Sequence, residues 1–287
     1  MPRVEGAANI VPFVQRNSIA TTATKSIRHL AKADNLKPIE QFKATLRHQK
    51  NYLKWIDSRH KELIEAKAGL NPDGRGPKDE TFRKYKWYAE QITLLEAINA
   101  FEVFYKTTFI NLANALRRFI PPDRIKGSVD AKVLWTNHGK TSFPALIFEH
   151  HLYHDLEQVD KISAMLVDAR RYSPNSLKSP LRRQVIALQS IFQIRHTLSH
   201  NQGRITQNDR AKLEVLGCSA VKDEVIDPTK DSLGHSIRNL LKEEVDKFTD
   251  WILKATANFL QKRVDNDGIE LTSKLKEKIE KSVGSNE

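Results

Sequence analysis

The chain has 287 residues, 39% of them hydrophobic and 29% charged, which is enough to bury a sizeable core. A net charge of +12 and a pI near 9.6 point to a polyanionic partner, nucleic acid ahead of an anionic membrane surface; surplus lysine that only solubilises a helical protein is the plain alternative. One cysteine, Cys218, excludes an internal disulfide and a cysteine-built zinc site, and no apolar run approaches the ~20 residues that cross a bilayer, so the expectation is a cytoplasmic protein with no membrane partner.

The first 36 residues lack the apolar block of a secretory signal and read as a flexible arm. Their poverty in acids and wealth of Ser, Thr, Ala and basic residues is also the composition of an organelle transit peptide. From Pro38, the residues Ile39, Phe42, Leu46, Leu53, Ile56, Leu63 and Ile64 fall at helical spacing, predicting an accessory helix within 37–72. GLNPDGRGP, with three glycines and two prolines, is a loop.

A longer helix is predicted over about 78–120. Its segment LLEAINAFEVFYKTTFINLANALRRFI is apolar on more than one face, as befits a central element covered by several neighbours. Residues 121–143 read as a loop anchored to the core by Val133, Leu134 and Trp135. Pro144 opens a third helix over about 144–170. Ser179 as N-cap and Pro180 as first residue start a fourth, whose seam is Leu181, Val185, Leu188, Phe192 and then Arg195.

Residues 211–231 suit a short hairpin or loop, and a fifth helix is predicted over about 235–263. The remainder, 264–287, is a charged tail, helical or frayed. The fold class expected is all-α: an up-and-down bundle of four to five core helices over 78–263, with an additional N-terminal helix.

The chemistry-bearing run is QIRHTLSHNQGR, where an apolar seam closes on an arginine and is followed by two histidines, a serine and an asparagine ahead of Gly203. A guanidinium on a seam needs a partner or a wet cleft. Arg195 and His200 are five residues apart, about 140° around an ideal helix. They converge on one point only if the helix ends or distorts between them, and the polar run before Gly203 is where that ending is expected.

Arg195-His196-Thr197-Leu198-Ser199-His200, extended by Asn201 and Gly203, resembles the R-x4-H signature of the HEPN-domain family over roughly residues 80–262. Many members are metal-independent endoribonucleases, some of them toxins or antiphage effectors. The resemblance implies a bundle with this motif on a late helix, following a helix with an apolar-Glu run such as Ala100-Phe101-Glu102. It implies that Arg195 holds the scissile phosphate, His200 is the general acid or base, and His196 and Asn201 orient or assist. No cofactor and no metal are implied. RNA is the expected partner, joined by a second copy that completes a composite site and by an antitoxin or regulatory protein. The branch silenced by nucleotide transfer to tyrosine resembles R-x4-H-x-Y; Gln202 stands there in this chain.

Against this stands a non-catalytic RNA-binding or assembly module, in which Arg195 pairs with a carboxylate such as Glu102 and holds two helices together. Other clusters carry weaker readings. His150 and His154, one turn apart on the predicted third helix beside His151, Glu149 and Asp155, have a spacing used by metal-ligand pairs, or contact RNA. Arg83-Lys84-Tyr85-Lys86-Trp87-Tyr88 either stacks and pairs with RNA or packs its aromatics inward.

Overall fold

A computed structural model describes residues 36–70, 79–129, 131–136, 142–217, 224–267 and 272–284. The predicted N-terminal arm up to residue 35, residues 71–77 of the glycine-rich loop, Lys78 and Cys218 lie outside the described residues. The rest is an all-α bundle, as the periodicity predicts. In chain order the helices are α1 Pro38–Leu70, α2 Asp79–Leu116, α3 Ala131–Thr136, α4 Phe143–Phe148, α5 Leu156–Val167, α6 Arg182–Asn201, α7 Gln207–Val215, α8 Leu233–Asp267 and α9 Ser273–Val283.

Helix α2 is the axis of the molecule and packs against α1, α4, α5, α6, α8 and α9. Leu94, Ile98, Phe101, Phe104, Tyr105, Phe109 and Leu112 leave it in several directions, and all are buried. Its aromatic run meets Phe248 of α8 edge-on, with Tyr105 and Phe248 ring centroids 4.8 Å apart. Such pairs add about 1 kcal/mol beyond their buried area. Helix α2 ends at Leu116, four residues short of the predicted Ile120, in a turn where Phe119 N and Ile120 N both donate to the Leu116 carbonyl ahead of Pro121 and Pro122.

Helix α1 is anchored by Ile39 and Phe42, both buried in the main core. The charged tail holds a packed helix: Ile279 and Val283 of α9 are buried in the same core.

Four local expectations are corrected. Val133, Leu134 and Trp135 do not anchor a loop. They lie on the short helix α3 with Trp135 88% exposed. The predicted third helix is two helices with a break at residues 149–155. The break is held by Tyr153, which is buried and donates its hydroxyl to the Phe148 carbonyl at 2.6 Å, and by Asp155, which caps Glu157 N at 2.9 Å.

Helix α6 starts at Arg182 after Leu181, while Ser179 Oγ accepts from Leu181 N at 3.3 Å in the turn before it. Lastly, α7 fills 207–215, opened by a capping box between Thr206 and Asp209. Among the described residues of this region an isolated antiparallel bridge joins Arg204 to Val225; residues 218–223 of the expected hairpin or loop lie outside the described residues.

Candidate functional site

Helix α6 carries the run singled out in the sequence. Val185, Leu188, Ile191 and Phe192 bury its core face. The helix does not end between Arg195 and His200: it runs unbroken to Asn201, and the backbone turns left-handed only at Gln202 (φ 51°) and Gly203 (φ 82°). The reason lies in packing, since Thr197 and Leu198 are both buried and draw one more turn of helix into the core. Arg195 and His200 therefore leave the axis about 140° apart, and no hydrogen bond or ion pair joins them among the described residues.

Arg195 instead meets α2. Its Nε lies 3.3 Å from Asn99 Oδ1 and 3.4 Å from Glu102 Oε1. Both contacts use Nε, and among the described residues Nη1 and Nη2 make no hydrogen bond. Glu102 is shared: its second oxygen, Oε2, lies 3.3 Å from Nδ1 of His154, in the break between α4 and α5. The His154 ring also meets Phe192 edge-on, at 6.3 Å between centroids. Three segments far apart in sequence thus converge on one carboxylate, and the guanidinium remains partly open to solvent.

The two histidines of the run form a second feature. His196 and His200, one turn apart on α6, are exposed, with ring centroids 4.7 Å apart. Asn201 belongs to a third. Its Nδ2 donates to Asp209 Oδ2 at 2.9 Å, while Gln193 Nε2 donates to Asp209 Oδ1 at 2.9 Å.

Asp209 also accepts from Thr206 N at 3.1 Å and Thr206 Oγ1 at 2.9 Å, which ties α6 to the start of α7. Burial pushes this carboxyl up. The hydrogen bonds from Thr206 and Asn201, with the charge of His196, outweigh burial and hold it below its ordinary value. The amide of Asn201 is therefore committed to the α6–α7 joint.

Gly203 follows, and its conformation is required twice. Its φ is positive, and a Cβ there would sit 2.7 Å from Gln91 Nε2. Its carbonyl accepts from Ile226 N at 2.8 Å, stitching the end of α6 to the approach to α8.

The metal-pair spacing of His150 and His154 does not survive the break at 149–155, because the two residues no longer share a helix. His154 turns to Glu102, and His151 Nδ1 lies 3.1 Å from Gln158 Nε2. Burial, then the charge of His150, lowers the His151 imidazole from its ordinary value. Among the described residues no group of three or more His, Cys, Asp or Glu side chains is placed to hold a metal ion.

In the basic-aromatic run, Tyr85 and Tyr88 point outward rather than into the core, and Lys86 Nζ pairs with Asp57 Oδ1 at 2.6 Å. No helix among the described residues is long and apolar enough to cross a membrane. Of the residues around the site, Glu102 was legible as an ion-pair partner for Arg195. Asn99 and Asp209 were not, although Thr206-x-x-Asp209 was a readable capping signature. Set against protein-family models, curated proteins and solved structures, the chain has no match.

Proposed function

We propose that this chain is a metal-independent endoribonuclease whose active site forms between two copies. The observation that carries the reading is the state of Arg195. It is fixed through Nε by Asn99 and Glu102, which leaves its terminal nitrogens for a phosphate, on the same helix as the exposed histidine pair one and five residues further on. The net charge of +12 and the resemblance to R-x4-H nucleases support it. A toxin or antiphage role, with a restraining antitoxin, rests on the same resemblance.

The chemistry follows from the substrate. The RNA 2′-oxygen attacks the adjacent phosphorus and gives its proton to a base, the P–O5′ bond breaks, and an acid protonates the departing 5′-oxygen. The products are a 2′,3′-cyclic phosphate and a 5′-hydroxyl. Histidine changes charge near neutral pH and serves as acid or base; His200 takes that role, with His196 beside it. Arg195 stabilises the charge on the phosphorane oxygens. Asn201 acts at a distance, by fixing the end of α6 through Asp209.

Because Arg195 and His200 splay apart on one continuous helix, the composite site joins Arg195 of one copy to His200 of the other. Complementation tests this. Arg195→Ala and His200→Ala each lose cleavage in EDTA. Mixed together with subunit exchange, they recover about a quarter of wild-type activity, since half the dimers are mixed and each holds one intact site of two. No recovery on mixing places the site within one chain, and wild-type protein that leaves RNA uncut in EDTA overturns the nuclease reading.

The Arg195–Glu102 contact itself favours a second reading, in which the arginine is a tie between α6 and α2 within a non-catalytic RNA-binding module. In that case Arg195→Ala lowers the melting temperature and changes nothing else.

A further inference from the structure

We infer that the groove between α1 and α8 is a track for the phosphate backbone of single-stranded RNA, separate from the Arg195 and His200 residues. The choice of RNA among polyanions rests on the nuclease reading above; the anionic character of the ligand does not.

The groove encloses about 740 Å³ and is walled by α1 and α8, with Leu46 and Leu53 on α1 and Glu90 of α2 among its lining residues. Along α1 it is lined by Lys43, Arg47, Lys50 and Lys54, spaced four, three and four residues apart, so all fall on one face of the helix. The cations recur at intervals of about 4.5 to 6 Å along the axis. Lys242 faces them from α8, with His235 further along that helix.

The acids around the groove are already matched. Glu90 is held by Arg238 at 3.0 Å, Asp57 by Lys86 at 2.6 Å, Glu40 by Lys37 at 3.8 Å, and Asp246 by Lys43 at 2.8 Å. After this pairing Arg47, Lys50, Lys54 and Lys242 are exposed and have no acidic partner among the described residues. Like charges three and four residues apart on a helix repel one another, so the row works against the stability of α1 unless an anion bridges it.

A repeating phosphodiester chain supplies one anion per nucleotide along the line of that row. The site is concave, which suits a strand lying in it and not the flat face of a bilayer. Arg238 is not counted among the free cations, because its Nη2 is held by Glu90 at 3.0 Å and by Thr93 Oγ1 at 2.7 Å. The free cations all sit where a strand can reach them.

Fluorescence anisotropy with labelled oligo-uridine, on the full chain in a His200→Ala background that slows cutting, reads the binding. Four phosphate contacts in the groove contribute about −2.8 to the slope of log K against log salt, at about −0.7 each for a single strand. Lys50→Glu with Lys54→Glu is expected to move the slope toward zero by about 1.4 and to weaken binding about tenfold near 0.1 M salt. The control Lys274→Glu with Lys276→Glu, on exposed positions of α9, makes the same change in net charge and is expected to leave the slope alone.

An unchanged slope in the groove variant, or an equal change in the control, overturns the proposal. So does tighter binding of phosphatidylserine vesicles or polyglutamate than of RNA, lost on the same reversal. The two readings fail separately. A failed nuclease appears as uncut RNA in the wild type whatever the anisotropy shows, and a failed groove appears as an unchanged salt slope in the groove variant while the wild type still cuts RNA in EDTA.

Discussion

Arg195 Nε and Glu102 Oε1 stand 3.4 Å apart where α6 crosses α2, and the same carboxylate touches His154 with its other oxygen. Glu102→Gln keeps the shape of that side chain and removes its charge. For a partly exposed pair the expected loss of stability is about 1 kcal/mol, a shift of a few degrees in a thermal melt. If Arg195 binds the scissile phosphate, its loosened guanidinium also lowers cleavage by about 10- to 100-fold. A melt that shifts while cleavage stays constant would mark the contact as a helix tie alone.

The exposed pair His196 and His200 separates chemistry from folding cleanly. His200→Ala removes a side chain that packs on little besides its neighbour, so the melting temperature is expected to hold while cleavage in EDTA falls by about 10²- to 10⁴-fold. His196→Ala is expected to lose less. Parallel melts and end-labelled RNA assays of both variants check this, and equal losses in the two would remove the distinction between acid–base residue and assistant.

Asp209 gives a pH-dependent signature in stability. Its folded carboxyl sits below its ordinary value, so it stabilises the fold above the unfolded pKa, and that contribution disappears as pH falls through the depressed folded value. Asp209→Asn is therefore expected to lose about 2 kcal/mol at neutral pH, with the difference from wild type closing in acid. Asn201→Ala removes one donor to the same carboxylate and costs about 1 kcal/mol. Urea titrations at neutral pH and near pH 3 read both; a gap that widens in acid contradicts the assignment.

The largest stability effect is expected at a buried cluster that includes none of the candidate site residues. Glu244 is completely buried and accepts from Tyr172 Oη at 2.6 Å and Arg171 Nε at 3.0 Å, with Tyr105 hydrogen-bonded to Tyr172 behind it. Burial pushes the Glu244 carboxyl up against the pull of Arg171 and Tyr172. Arg171→Met strands that carboxylate and is expected to cost about 3 kcal/mol. Adding Glu244→Leu should return part of the loss, a non-additivity that a double-mutant cycle in denaturant measures directly.

Much of the architecture was legible because long helices write their period into the sequence. The existence and approximate extent of α1, α2 and α8 follow from apolar spacing and from Pro38, Pro121 and Pro122, although α2 ends four residues early at Leu116. Glu102 could be named as a partner for Arg195 because a seam arginine demands one. The errors share a cause. The break at 149–155 contains no glycine or proline. It exists because Tyr153 gains more by burying its ring and capping Phe148 than the chain gains by continuing the helix. Trp135 reads as an anchor by its size, yet no neighbour covers most of its surface.

The sequence by itself determined that the chain is helical, that Arg195 closes an apolar seam, and that Arg195 and His200 differ by five residues in register. Those are properties of local spacing, and local spacing is all that periodicity reports. Tertiary structure decided where α6 stops, because burial of Thr197 and Leu198 outweighed the polar run that follows them. It also decided the company of Arg195: Asn99 comes from 96 residues away, and His154 reaches Glu102 across 52. Contacts at such separations leave no periodic trace in a single sequence, because packing rather than chain continuity brings the groups together.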